Sequence, residues 1–217
     1  MTRVLLINPN TSAATTAMMV AIAQAAAPRG VRVTGVTARH GVAMIVAAAE
    51  LEAAAAEVMA LGRSHAADVD GIIIAAFGDP GLDALRAAVT LPVVGICEAS
   101  MREAAADGRR FGVATVTPGL AGPIAARARA LGLGARYTGI RLTPGDPIAL
   151  AADPPSLEAA LAGAIARAIA DDGAEAVVIG GGPLAAAADA LAERHAVPVI
   201  APIPAAMRQM LRDCAAR

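Results

Sequence analysis

The sequence predicts an α/β chain of two pseudo-symmetric domains, each a four-stranded parallel sheet flanked by helices, with an active-site cleft between them. Two observations carry that expectation. Short β-branched apolar runs alternate with longer alanine-rich, helix-forming stretches, and strands that alternate with helices pair in parallel and are covered on both faces. The chain also repeats itself. Leu51-Glu-Ala-Ala54 returns as Leu157-Glu-Ala-Ala160 at an offset of 106, and Leu91-Pro-Val-Val94 returns as Val197-Pro-Val-Ile200 at the same offset. Asp70-Gly-Ile-Ile-Ile-Ala-Ala76 matches Glu175-Ala-Val-Val-Ile-Gly-Gly181 at 105, and Ile7-Asn-Pro-Asn-Thr11 lines up with Ala114-Thr-Val-Thr-Pro118 at 107. Four landmarks in the same order at nearly constant spacing describe a duplicated unit of about 105 residues.

The elements follow in order. Apolar runs rich in Val and Ile predict strands at residues 4–7, 31–36, 71–74 and 93–94 in the first half. In the second half they fall at 111–116, 137–142, 176–179 and 197–200. Alanine-rich stretches such as 13–27 and 157–170 supply the helices between them. The seam falls near residues 95–100, giving an N-terminal domain at 1–96 and a C-terminal domain at 97–203. A last helix, beginning at residue 204 and reaching the chain end, is expected to pack back on the first domain.

Composition excludes several classes. A net charge of −1 and 1% aromatic residues leave neither a basic field for a phosphate backbone nor rings to stack bases, so no nucleic-acid partner is expected. No run approaches the roughly 18 uninterrupted apolar residues of a membrane span. The first residues run directly into a strand without a signal-like segment, which predicts a cytoplasmic protein. All 18 basic residues are arginine, and without lysine there is no Schiff-base chemistry. His40, His65 and His195 lie far apart, and Cys97 and Cys214 form no metal-ligand spacing, so no metal site is expected.

Ligands of open α/β sheets bind beyond the carboxyl ends of the strands, and two facing halves would bring those ends to one cleft. Asn8, Asn10, Thr11 and Ser12 follow the first strand, and Ala76, Phe77, Gly78 and Asp79 follow the third. Their counterparts are Thr115 and Thr117, then Gly181, Gly182 and Pro183. Helix N-termini at such ends favour a small polar ligand, anionic or imide-like.

Ile7-Asn-Pro-Asn-Thr-Ser12, Phe77-Gly-Asp-Pro-Gly-Leu82, Gly95-Ile-Cys-Glu-Ala-Ser100, Gly112-Val-Ala-Thr-Val-Thr117 and Gly180-Gly-Gly-Pro-Leu184 together resemble the aspartate/glutamate/hydantoin racemase superfamily, most closely its hydantoin racemase branch. The resemblance covers essentially the whole chain. It implies an isomerase with a cleft between two domains, no cofactor, a homo-oligomeric assembly, and a pair of cysteines that remove and return an α-proton from opposite faces. The positions matching those cysteines are Ala76 and Gly181, and neither can supply a base.

The candidates that remain for catalysis are Cys97, Glu98 and Asp79, each with a structural alternative. Cys97 is either a nucleophile beside Glu98 or a small buried hydrophobe. Glu98 is either a general base or an acidic first-turn residue of the following helix. Asp79, in Gly-Asp-Pro-Gly, is a ligand-facing carboxylate or a turn former. The substrate-binding set is Asn8, Asn10, Thr11, Ser12, Ala76, Phe77, Gly78, Thr115, Thr117, Gly181, Gly182 and Pro183. Three functions stay open at this level. They are a racemase-like enzyme acting on a hydantoin- or amino-acid-like compound, a hydrolase or desulfidase of a hydantoin-like ring, and a non-catalytic protein that binds a small acid.

Overall fold

The computed structural model describes residues 1–184 and 188–216. The first sheet contains β1 (Thr2–Asn8), β2 (Val31–Thr37), β3 (Gly71–Ile74) and β4 (Val93–Gly95), in the order β2-β1-β3-β4. The second contains β5 (Phe111–Thr115), β6 (Tyr137–Leu142), β7 (Ala176–Ile179) and β8 (Val199–Ile200), in the order β6-β5-β7-β8. Every pairing is parallel. Interleaved with the first sheet are α1 (Ala13–Ala25), α2 (Ala48–His65), α3 (Leu82–Ala88) and α4 (Ile96–Ala104). With the second come α5 (Ala121–Ala130), α6 (Pro147–Ala152), α7 (Pro154–Ala170), α8 (Ala188–Ala192) and α9 (Pro202–Ala215). Among the described residues no helix is long and apolar enough to cross a membrane.

The strands were placed by their apolar runs because the central ones are covered on both faces. Every residue of β3 and β7 is buried, as a parallel strand between two helical layers requires. Several boundaries differ from expectation, the last helix beginning at Pro202 rather than 204, and two of the differences follow from local chemistry. Pro198 has no N–H and contributes only its carbonyl, which accepts from the Val177 amide, so β8 begins at Val199. Helix α7 starts at Pro154 rather than 157, because the Asp153 carboxylate accepts from the Ser156 amide and proline suits the first helical position.

The internal repeat is visible bond by bond. In the first half the Asp70 carboxylate accepts from the Arg3 amide at 2.7 Å, while the Asp70 amide donates to the Arg3 carbonyl at 2.8 Å. In the second half Glu175 and Arg110 repeat the exchange, at 2.8 Å in both directions. The Ala75 amide donates to Ile7 O as Gly180 does to Ala114 O, and Ala38 donates to Asn8 O as Thr143 does to Thr115 O.

The two terminal helices cross over. Helix α4 follows the first sheet but packs on α5, β7 and β8 of the second half, and α9 follows the second sheet but packs on α1, β3 and β4 of the first. The two helices also pack on each other, with Arg208 on α9 paired to Glu103 on α4 at 2.6 Å. Gly71 opens β3 without a side chain because the Met210 thioether of α9 fills the space a Cβ would need.

Candidate functional site

The ends of β1 and β5 carry equivalent polar clusters. The Asn8 side-chain amide, fully buried, donates from Nδ2 towards Asn10 Oδ1 at 2.8 Å, Thr16 Oγ1 at 2.9 Å and Ser12 O at 3.1 Å. Asn10 Oδ1 also accepts the Ser12 amide at 2.9 Å. With its oxygen committed twice, Asn10, which lines the cavity, keeps Nδ2 as the donor end of its amide. In the second half Thr115 Oγ1 donates to the Gly180 carbonyl at 2.7 Å. That bond uses the only hydroxyl proton Thr115 has, so in the 3.1 Å pair of Thr115 and Thr117 the donor is Thr117. Thr117, which lines the cavity, therefore keeps lone pairs on Oγ1 with which to accept. Asn10 and Thr117 occupy matching places in the two halves and offer opposite hydrogen-bonding character.

The cavity has a volume of about 200 Å³ and lies where the strand ends meet. Ala75, Ala76 and Phe77 after β3 form one wall, and Gly180 to Leu184 after β7 form another. Asn10 and Thr15 come from the β1 end and α1, and Val116, Thr117 and Leu120 from the segment between β5 and α5. Two straps complete it. Residues 38–47 after β2 contribute Ala43, Met44 and Ile45, and the equivalent segment after β6 contributes Ala151 of α6. The first strap is held at both ends. Val42 O accepts the Thr11 amide at 3.0 Å, Glu50 accepts the Val46 and Ala47 amides at 2.8 and 3.0 Å, and Ala47 bridges Gly119 of the second half. No Asp, Glu, His, Cys, Tyr or Arg is among the described residues lining this space.

Of the expected binding residues, Asn10, Ala76, Phe77, Thr117, Gly181, Gly182 and Pro183 line the cavity. Asn8 and Thr115 stand directly behind it as fully buried polar anchors. Ser12 caps α1 by accepting the Thr15 amide at 3.2 Å, and Thr11 ties the β1 end to the strap. Gly78 faces a separate open depression with Asp79, Asp83 and Arg127.

Each of the three candidates for catalysis is held by contacts within the fold. The Asp79 carboxylate accepts the Cys97 amide at 2.9 Å and the Glu98 amide at 2.7 Å, which are free N–H groups of the first turn of α4. It is a cap supplied from a distant turn, where Asp79 sits with φ 54° and Gly95 leaves room for it by having no Cβ. Arg127 of α5 approaches the same carboxylate at 3.4 Å. Burial pushes the Asp79 pKa up to about 6, against the pull of Arg127 and the two amides. Cys97 is fully buried, its sulfur 4.0 Å from Met101 Sδ, and burial together with the Asp79 charge pushes its thiol up, away from the thiolate that nucleophilic chemistry needs. Burial also opposes ionisation of Glu98, but Arg86 at 2.9 Å and Arg102 at 3.1 Å outweigh it and hold the carboxylate below its usual range. A carboxylate clasped by two guanidinium groups is an ion-pair partner rather than a base. None of the three reaches the cavity. His40, the other group near the strand ends, is paired to Glu57 at 2.8 Å and lines a different cavity of about 460 Å³ outside the first strap.

Met44, Ile45 and Ala151 were not foreseen. They follow β2 and β6, the edge strands, whose carboxyl ends bear on the cavity as the central ones do; extending the strand-end argument to all strands would have found them.

A family model described as Asp/Glu/Hydantoin racemase matches residues 4–210. A hydantoin racemase of Paenarthrobacter aurescens is 31% identical over 211 residues, covering 95% of this chain and 88% of that protein. A hydantoin racemase of Pseudomonas sp. (strain NS671) is 32% identical over 199 residues, covering 91% and 80%. Among solved structures, an allantoin racemase from Klebsiella pneumoniae superposes with a TM-score of 0.94 at 32% identity, over 100% of this chain and 89% of that one.

Proposed function

The chain belongs to the Asp/Glu/hydantoin racemase family, and from that premise we propose that it works without a cofactor on a hydantoin-like ring bound in the cavity between the two sheets, exchanging and inverting the proton on the ring carbon next to a carbonyl. The observation that carries this reading is that Asn10, whose Nδ2 is left as a donor, and Thr117, whose Oγ1 is left as an acceptor, both line the cavity, one from each half. A cyclic ureide or imide displays C=O and N–H side by side and satisfies both. An amino acid or dicarboxylate fits less well, because a buried carboxylate that leaves water without a charged partner loses hydration it does not regain. Met18, Met44, Ile45 and Leu184 give the rest of the space an apolar lining suited to a ring substituent. The relatives named for hydantoin and allantoin support the same ring class.

Proton NMR in D₂O of 5-substituted hydantoins, allantoin and aspartate with the purified protein tests the proposal. Loss of the ring-carbon proton signal and of optical rotation with the ring intact, and no change in aspartate, is the expected result. Ring-opened or desulfurised products would replace it with a hydrolytic activity, and exchange on aspartate alone would overturn the ring assignment.

A further inference from the structure

We infer that the base which takes the ring proton is a small diffusible general base from solution, such as an amine or an imidazole, and not one of the described residues that line the cavity. This rests on the ring-exchange reading above. Breaking a C–H bond next to a carbonyl requires a proton acceptor. Ala76 and Gly181 hold equivalent places after β3 and β7 and face the cavity with a methyl group and a hydrogen. The ionisable groups nearest in sequence to Ala76 point elsewhere: Asp79 caps α4. Cys97 and Glu98, on the next strand end, are respectively sealed in the core and paired to two arginines. Residues 185–187, next to Leu184, are all alanine and hold no acid or base. The cavity also opens to water, since Met18 is 47% exposed and Ala43 and Ala151 are exposed at its rim.

The step balances without any protein group. The ring C–H bond breaks, its electron pair passes into the adjacent carbonyl as an enolate, and the proton bonds to the incoming base. Reprotonation of the same carbon by the conjugate acid or by water closes the cycle. The protein holds the ring and stabilises the enolate oxygen through neutral donors such as Asn10 Nδ2.

The test is the rate of ring-carbon H/D exchange at fixed pH and ionic strength with rising imidazole, then with substituted imidazoles of graded basicity. The wild-type enzymatic rate should climb in proportion to the free base, several-fold across the titration, and track its basicity. It should show no plateau assignable to a side chain. In Ala76→Cys, exchange should become insensitive to imidazole and follow the ionisation of the new thiol. Exchange that ignores imidazole in the wild type overturns the inference and leaves the ring reading intact, and a sigmoid pH profile that changes in Asp79→Asn would point to that carboxyl instead. Exchange absent from every ring substrate at every base concentration removes both.

Discussion

Replacing Asp79 by alanine tests the account of that residue as a remote helix cap. The variant removes the acceptor of the Cys97 and Glu98 amides, at 2.9 and 2.7 Å, in a place that the protein keeps dry. A hydrogen bond to a charged partner contributes about 1.5–3 kcal/mol, and a buried donor left unmade costs a similar amount. Arg127 is not stranded, because Asp83 still accepts from it at 3.1 Å. Two buried donors left unmade therefore predict a loss of about 3–5 kcal/mol at pH 4, where the folded carboxyl is protonated, and relief of the roughly 3 kcal/mol cost of burying its charge cuts that loss to about 0–2 kcal/mol at pH 7. At roughly 2–4 °C per kcal/mol for a chain of this size, the midpoint at pH 4 should fall by about 10 °C. Urea denaturation followed by circular dichroism gives the free energy, and differential scanning calorimetry gives the midpoint. Asp79→Asn, which keeps one acceptor oxygen, should lose about half as much. A loss under about 1 kcal/mol in Asp79→Ala at pH 4 would refute the cap.

The same carboxyl makes stability depend on pH. Its folded pKa of about 6 lies above the ordinary value of 3.8, so the folded chain holds this proton more tightly than the unfolded one. That contribution is complete below about pH 4 and is lost as pH rises through 6, a fall of roughly 3 kcal/mol that urea titrations at several pH values should show in the wild type and not in Asp79→Asn. Thr117→Val removes the cavity acceptor, and calorimetric titration should show a ring ligand with a free N–H bound about three- to tenfold more weakly, with no change for the N-methylated ring. Gly119→Ala places a methyl group against the Val46 carbonyl, where the first strap crosses to the second half. The displaced strap should raise KM several-fold and lower stability by about 1–3 kcal/mol, read by steady-state exchange kinetics and thermal melts.

The architecture was legible because it is written in periodic apolarity. Gly71-Ile-Ile-Ile74 and Ala176-Val-Val-Ile179 have no polar residue to place outward, so they sit at the centres of their sheets, and the offsets of 105–107 reappear as matching backbone bonds. Part of the site was legible on the same ground, since Asn10, Ala76, Thr117 and Gly181 stand at strand ends. The roles of Asp79, Cys97 and Glu98 were not. Sequence gives residue type and distance along the chain, whereas the partner of Asp79 lies 18 residues on in a helix turn, and what disarms Glu98 is the convergence of Arg86 and Arg102. The strap was hidden for another reason: residues 38–47 have no regular period, and their position is set by single bonds to Thr11, Glu50 and Gly119.

The crossing of α4 and α9 bears on ancestry. Each half completes its core with the helix that the other half would otherwise own, so a protein of one half alone would leave β3 and β4 without their cover. Such a chain could reach the same packing only as a pair that traded terminal helices, a closed two-fold exchange of the kind that domain swapping produces. Fusion of two copies end to end would then have turned an association into a connection, freeing the two strand ends at the cavity to diverge into the donor and acceptor that Asn10 and Thr117 now are.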